Sequence, residues 1–175
     1  EKQGQADNTI IIYTTDNGTA GRSKLRAIGP GNKFEYAKVF SKLGDKMIPV
    51  GKGSLTNYGT NVPLIIRWPG KVPEGEVVDY LVDFTDFYPT FVELGGGKSP
   101  GDLKLAGHSF APLLQGKDFK GRSFAYAEAK GKYWVRTQRY KLYNDGQLFD
   151  VKNDPQEKKP LPMDKLSAEA SAAYK

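Results

Sequence analysis

The chain has 175 residues, a net charge of +6, 38% hydrophobic residues, ten Tyr and nine Phe. This length and aromatic content fit one folded domain, alone or with a small appendage, and exclude a disordered chain. Cysteine is absent and histidine occurs once, at His108, which excludes disulfides, thiolate zinc sites, a Cys nucleophile and His-rich metal sites within this sequence. No apolar stretch approaches the ~18 residues of a membrane-spanning helix, and the polar residues 1–5 are not a signal peptide.

Basic residues outnumber acidic ones, with 26 Lys and Arg against 20 Asp and Glu. This excess of positive charge favours anionic partners such as nucleic acid, sulfated glycan or phosphate. The alternative is a soluble domain with scattered lysines. Neither an RNA-binding aromatic signature nor a zinc-finger spacing occurs, so we expect no nucleic-acid partner.

Two apolar runs predict strands in the first half of the chain. Residues 9–15 are β-branched and aromatic without alternation, and residues 62–68 follow the same pattern with Pro63 near the start. Such runs are typical of central strands in a parallel sheet, with both faces covered. The chain between them is rich in glycine and basic, and helical spacing predicts one short helix over residues 33–43. The long loops around it indicate a functional region.

Residues 80–94 predict a second helix, because apolar side chains recur at helical spacing. We expect Asp86 to cap it, Pro89 to lie in its first turn, and Gly95–Gly97 to end it. After residue 120 the pattern changes to short alternating strands. Asn144-Asp145-Gly146 lies between two apolar runs and predicts a hairpin, so the tail is predicted to be a small antiparallel sheet, with a terminal helix over residues 167–174.

Asp16-Asn17-Gly18 directly follows the first strand. In open α/β sheets ligands bind beyond the carboxyl ends of strands, and carboxylate and amide oxygens suit a hard cation such as Ca²⁺. The same three residues also form an ordinary turn. Residues 17–19 match the glycosylation pattern as well, and a glycan on Asn17 would exclude its use as a metal ligand.

Lys52 lies between Gly51 and Gly53, ten residues before the second strand. A lysine in this position can present its ammonium to an anion while the backbone approaches closely. The spacing is not that of a phosphate-binding P-loop. The alternative is an exposed loop lysine without a specific role.

In order along the chain, these segments resemble the sulfatases, the arylsulfatase-type sulfuric ester hydrolases. The resemblance is carried by a metal-binding strand end, a lysine loop with its following strand, a helix, a further stretch and a C-terminal pattern. These five segments are residues 9–18, 51–71, 82–90, 107–116 and 148–157.

The resemblance implies a fold and a set of roles. The fold is part of an alkaline-phosphatase-like α/β/α sandwich over residues 1–120, followed by a small antiparallel sheet with a helix over residues 121–175. Asp16 and Asn17 would supply two ligands of a Ca²⁺ site, and Lys52 would bind the sulfate and neutralise charge as the S–O bond breaks. His108 falls at a position that varies in the family, so we expect a structural or exposed role.

The family's formylglycine nucleophile comes from a Cys/Ser-x-Pro-x-Arg motif in the N-terminal part, and this sequence contains no such motif. We therefore expect the chain to be the C-terminal part of a sulfatase, to need the N-terminal part of the same protein, and to be inactive alone. By the same resemblance, the expected substrate is a sulfated sugar or polysaccharide, and the expected location of the whole protein is periplasmic or secreted. We expect no membrane partner, and self-association through an exposed strand edge.

The matched region departs from the family pattern in two places. Asp16 and Lys52 are 36 positions apart, so we expect an insertion or a substrate-facing loop between them. After Lys52, residues 57–59 and Asn61 replace the family's usual Glu-Gly-Gly and Arg. Two other functions stay open from the sequence: a non-catalytic module that binds sulfated glycans, and part of a related phosphatase or phosphodiesterase.

Overall fold

The computed structural model describes residues 2–31 and 33–174. Its strands are β1 (Ile11–Thr14), β2 (Arg22–Gly29), β3 (Lys33–Lys38), β4 (Ser41–Leu43), β5 (Lys46–Ile48), β6 (Leu64–Arg67), β7 (Ala125–Ala129), β8 (Lys132–Arg136), β9 (Tyr140–Tyr143) and β10 (Leu148–Asp150). Its helices are α1 (Asn57–Thr60), α2 (Phe87–Leu94), α3 (Ala111–Leu114) and α4 (Ala168–Tyr174), with 3₁₀ turns at Ala6–Asn8, Phe84–Asp86 and Met163–Lys165. Over the same ranges, every helix is too short or too polar to span a bilayer.

The strands predicted at residues 9–15 and 62–68 are present as β1 and β6. They pair antiparallel, so the prediction of a parallel arrangement is wrong for this pair. The prediction of two covered faces is also wrong, because Tyr13 is 57% exposed and Ile65 is 61% exposed. β-branched runs favour an extended strand, whereas strand direction depends on the path of the connecting chain. Within the described residues this sheet has two strands, and their alternate residues are exposed and half-buried, so one face is open and the other is partly covered.

The predicted short helix over residues 33–43 is wrong, because these residues form β3 and β4. β2 pairs with β3 and β4 with β5, giving two consecutive antiparallel hairpins. Gly31 and Gly44 lie between the paired strands with φ of 78° and 58°, a conformation that favours glycine in tight turns. These turns reverse the chain, so the helical spacing of a few apolar side chains is overridden. We call residues 21–50, which contain both hairpins, the basic arm.

The helix predicted over residues 80–94 begins with the 3₁₀ turn and continues as α2. Asp86 occupies the N-cap position of α2, as expected, but its side chain makes no capping hydrogen bond to that helix. The side-chain cap lies one turn earlier: the Asp83 side chain accepts the N–H of Thr85 at 2.9 Å, while Asp86 accepts the N–H of Asp83 at 2.7 Å. Pro89 lies in the first turn of α2, as predicted. The helix ends at Gly95–Gly97, where Gly97 N donates to a carbonyl of α2 at 2.8 Å, which confirms the predicted stop.

The Asp86 carboxylate is buried and joins three segments. It accepts the backbone N–H of His108 at 2.7 Å and forms an ion pair with Arg122, whose side chain is 9% exposed. Through these bonds the start of α2, the segment before α3 and the chain leading into β7 are held together. The His108 side chain itself is exposed, in agreement with the sequence-based expectation.

The C-terminal region is an antiparallel sheet in the order β10-β9-β8-β7, as predicted. The Asn144–Gly146 hairpin is present, with Gly146 at φ 85°. The terminal helix is present as α4 and packs on β9, where Tyr140, Leu148 and Ala170 form a buried cluster. The domain boundary predicted at residue 120 stays a prediction.

Candidate functional site

Asp16 and Asn17 lie in the bend that follows β1. The Asp16 side chain is exposed, Asn17 is half-buried, and the Asn17 side-chain amide donates a hydrogen bond to the Asp16 carboxylate. The two side chains therefore sit next to each other at the end of the strand. The bend itself agrees with the turn alternative.

The loop that carries Lys52 is bonded to this turn through the backbone. The N–H groups of Gly51 and Lys52 both donate to the carbonyl oxygen of Thr19, each at 3.1 Å. Gly18 N in turn donates to the carbonyl of Gly59 at 3.1 Å. The structure thus brings together two segments that the sequence separates by more than 30 residues, and it places the backbone of Lys52, an exposed residue, beside the turn that follows the strand.

Three glycines make this close approach geometrically feasible. A Cβ atom on Gly18 would lie 1.7 Å from the carbonyl oxygen of Tyr58, and one on Gly51 would lie 1.6 Å from the same atom. A Cβ on Gly59 would lie 2.0 Å from the carbonyl oxygen of Ser54. Any larger residue at these positions would collide with backbone. Sequence reasoning identified Gly18 and Gly51 only as turn residues and missed Gly59 altogether.

Within the lysine loop, short-range bonds fix the backbone on the C-terminal side of Lys52. Ser54 N donates to the carbonyl of Gly51 at 2.8 Å, and the Ser54 hydroxyl accepts the N–H of Thr56 at 3.0 Å. Gly53 between them has φ 80°. Lys52 therefore projects from a tight turn whose backbone is defined on both sides.

The strand-end turn offers part of a donor set for a cation. Asp16 and Asn17 offer hard oxygen ligands of the type that Ca²⁺ takes, but Ca²⁺ takes about 6–8 of them. In the part of the chain that the structure describes, no cluster of three or more His, Cys, Asp or Glu side chains is arranged to hold a metal ion. The turn fits part of a calcium site in chemistry, and further ligands would have to come from elsewhere.

A buried acid anchors the other end of the lysine loop. Glu157 accepts the backbone N–H of Asn57 at 2.7 Å and the Lys141 ammonium at 2.9 Å through Oε1, and the Tyr143 hydroxyl through Oε2. The Lys141 ammonium also donates to the carbonyl oxygen of Leu55 at 2.7 Å. The C-terminal sheet thus holds residues 55–57 directly. The sequence predictions missed this role, although Glu157 ends the C-terminal pattern that carries the family resemblance.

The environment of this anchor shifts two ionisable groups. Burial lowers the pKa of Lys141 to about 8, although the hydrogen bond that its ammonium donates to Glu157 opposes the shift. Burial also raises the pKa of Tyr143, and its hydrogen bond to Glu157 raises it further. The Lys141 ammonium lies 4.6 Å from the centre of the Trp134 ring, a cation–π contact that partly replaces lost hydration.

Comparison with known proteins decides the family. A model of the sulfatase family matches residues 1–97, and a model of the C-terminal region of N-sulphoglucosamine sulphohydrolase matches residues 52–174. The chain belongs to the sulfatase family. An Ulvan-active sulfatase from Formosa agariphila is 29% identical to it over 83% of this chain and 25% of that protein. An N-acetylglucosamine-6-O-sulfatase from Bacteroides thetaiotaomicron is also 29% identical, over 90% of this chain and 27% of that protein.

Structural comparison leads to the same family. A solved structure of a protein in complex with its substrate, D-Glucosamine-2-N, 6-O-disulfate, has a TM-score of 0.68 and 26% identity, covering 98% of this chain and 34% of that one. A 2-O GAG sulfatase structure has a TM-score of 0.63 and 27% identity, covering 92% and 33%. These likenesses confirm the predicted alkaline-phosphatase-like α/β class. The chain spans about a quarter of the length of the curated relatives named above.

Proposed function

We propose that this chain forms the C-terminal part of a sulfatase that hydrolyses sulfate esters of a sugar or polysaccharide. The proposal is supported by family membership and by relatives that carry the names of carbohydrate sulfatases. The observation that carries it is the backbone connection between the Asp16–Gly18 turn and the Gly51–Gly53 loop through Thr19. This connection holds a cation-binding type of turn and an exposed ammonium group at one end of a strand.

In this proposal Lys52 binds the sulfate group. Its ammonium is exposed, and its backbone is fixed before the substrate arrives. Positive charge that is already in place stabilises the negative charge that develops on the leaving oxygen and the sulfate, without reorganisation during the reaction. Asp16 and Asn17 would supply two ligands to Ca²⁺, which would add positive charge near the sulfate. The formylglycine nucleophile would come from the N-terminal part of the protein.

The test is sulfate release by the longer protein, expressed from the reading frame that includes the codons upstream of Glu1. With glucosamine 6-sulfate as substrate, Lys52→Ala is expected to lower kcat/KM by about 100-fold or more, the scale of losing one preorganised charge contact. The matched control is Lys98→Ala, a change of another lysine, at residue 98 beyond the end of α2. Equal activity of the Lys52 and Lys98 variants would contradict the assignment. A longer protein that releases no sulfate would contradict the proposed function itself.

We also propose that the isolated chain is inactive and binds Ca²⁺ only weakly, at millimolar concentration or above, because affinity follows the number, charge and rigidity of the ligands. Calorimetric titration with Ca²⁺ measures this directly. Saturable micromolar binding that Asp16→Asn leaves unchanged would contradict the assigned ligands. A periplasmic or secreted location for the whole protein is part of the proposal, and cell fractionation tests it.

A further inference from the structure

The basic arm, residues 21–50, contains most of the net charge of the molecule. It contains seven Lys and Arg and two Asp and Glu, a net charge of +5 of the chain's +6. The seven basic residues are Arg22, Lys24, Arg26, Lys33, Lys38, Lys42 and Lys46. Among the described side chains of the arm, Arg26 is the one cation with a carboxylate partner, Glu35, at 2.6 Å. The other described cations of the arm form no ion pair of this kind, and the excess of basic residues creates a local positive potential.

One face of the first hairpin places like charges opposite each other. Arg22 pairs with Lys38 across β2 and β3, and directly opposite residues of an antiparallel pair lie on the same face. Like charges in this arrangement destabilise a sheet. Both side chains are exposed. A bound anion would reduce the repulsion between the two cations. Local arrangements that lower stability in this way are typical of functional surfaces.

An aromatic ring lies on the same face as these charges. Tyr36 is two residues from Lys38 along β3, and residues two apart in a strand share a face. The Arg22 guanidinium lies 4.8 Å from the centre of the Tyr36 ring, and Tyr36 is 46% exposed. The face therefore combines two cations with a flat apolar surface, the composition that suits a ligand with anionic groups on an amphipathic ring.

The base of the arm is attached to the lysine loop. Val39 N donates to the carbonyl of Gly21 at 3.1 Å, and the hydroxyl groups of Thr19 and Ser41 lie 2.7 Å apart. Thr19 is also the residue whose carbonyl oxygen accepts the N–H groups of Gly51 and Lys52. Arg22 lies three positions after Thr19, a path of at most about 11 Å. The charged face thus begins close to the position proposed for the sulfate.

We propose that the basic arm binds a sulfated polysaccharide chain, contacting sugars beyond the one whose ester is held at Lys52. This inference rests on the proposed function, and within it selects a polymer as the substrate and names the surface that would bind it. Charge complementarity determines the ligand: a polymer with repeated sulfate groups can contact Arg22 and Lys38 at the same time as the lysine loop, whereas a monosulfated sugar offers a single anionic group. The arm then selects polymeric substrates by affinity.

The test compares binding of a heparin octasaccharide and of glucosamine 6-sulfate to this chain by calorimetry at about 0.15 M salt, where long-range attraction is screened. The variant Arg22→Gln/Lys38→Gln is expected to bind the octasaccharide about tenfold more weakly, the scale of losing two charge contacts in water. The matched control Lys158→Gln/Lys159→Gln removes the same charge from two exposed residues after β10 and is expected to lose less than about twofold. The conservative exchange Arg22→Lys/Lys38→Arg, which keeps both charges, should retain the affinity, as expected if the charges at these two positions carry the binding.

Equal losses in the arm variant and in the control would overturn the proposal, because binding would then follow net charge alone. Equal affinity for a single-stranded DNA of the same charge would overturn it as well, since the arm would then be a general polyanion surface. The result is separable from the proposed function. Octasaccharide binding is measured without hydrolysis, so a failure of the arm leaves the sulfate-release test of the longer protein unaffected.

Discussion

The Glu157 anchor leads to the sharpest stability prediction, for the substitution Glu157→Gln. The Glu157 side chain is 2% exposed and that of Lys141 is 0% exposed, so the substitution leaves a buried ammonium without its counter-charge. Removing one partner of a buried ion pair costs about 3–5 kcal/mol of unfolding free energy. Domains are typically stable by about 5–15 kcal/mol in total. We therefore expect the variant to fold only marginally.

Urea denaturation followed by far-UV circular dichroism measures this loss. The matched control is Glu35→Gln, which breaks the Arg26–Glu35 pair, whose side chains are 75% and 45% exposed. Exposed pairs of this kind contribute about 0–1 kcal/mol. The double variant Lys141→Met/Glu157→Gln should recover much of the loss, because it removes both charges from the interior.

If Glu157→Gln lowers the unfolding free energy no more than Glu35→Gln does, Glu157 does not compensate a buried charge. The same conclusion follows if the double variant is as unstable as the single one, because the cost would then not come from the isolated ammonium. Amide hydrogen exchange gives a local readout. The Asn57 N–H donates to Glu157 at 2.7 Å, and it should exchange faster in the variant through local opening of the lysine loop.

Three further outcomes follow from the same structure. Lys141 has a depressed pKa in the folded protein, about 8 against an ordinary 10.5. Above about pH 8 the unfolded chain therefore binds more protons than the folded protein does. The unfolding free energy should rise with pH between about 8 and 10, by at most ~1.4 kcal/mol per pH unit. Urea denaturation at several pH values checks this, and Lys141→Met should show no such rise. Gly51→Ala forces a Cβ to within 1.6 Å of a carbonyl oxygen and should lower the unfolding free energy, measured by thermal denaturation, by about 1–3 kcal/mol. The control Gly101→Ala places its Cβ in open space and should change the unfolding free energy by less than about 0.5 kcal/mol. Asp86→Asn leaves the Arg122 guanidinium buried without its counter-charge and should cost about 3 kcal/mol in chemical denaturation; a change below about 1 kcal/mol would mean that the pair behaves as a surface contact.

The features that the sequence predicted correctly are set by local physics. A run such as residues 9–15 favours an extended strand whatever surrounds it. Asp145-Gly146 favours a hairpin turn because Gly146 takes up the required positive φ, 85°. The end of α2 at Gly95–Gly97 follows from the same backbone freedom. Each of these signals depends on residues within about one turn or strand of one another.

The features that were missed depend on contacts between distant residues. Glu157 and Asn57 are 100 positions apart, and no local pattern indicates that one carboxylate anchors that loop. The close approach of Gly18 and Gly51 to Tyr58 likewise becomes visible only in three dimensions. The helix predicted over residues 33–43 was wrong for a related reason, since cross-strand pairing with β2 overrode its apolar spacing.

The lysine loop illustrates how these distant contacts determine what one side chain can do. Its start is fixed by the carbonyl of Thr19 and its end by Glu157, yet the Lys52 side chain between them is exposed. The position of the ammonium therefore depends on backbone bonds, and the side chain remains available to a ligand. A preorganised charge needs this combination, because an unanchored loop would lose conformational entropy on binding and a buried ammonium would need a permanent partner. The Glu157 anchor comes from the far end of the chain, so the first half of the sequence alone would leave the N–H of Asn57 without this partner.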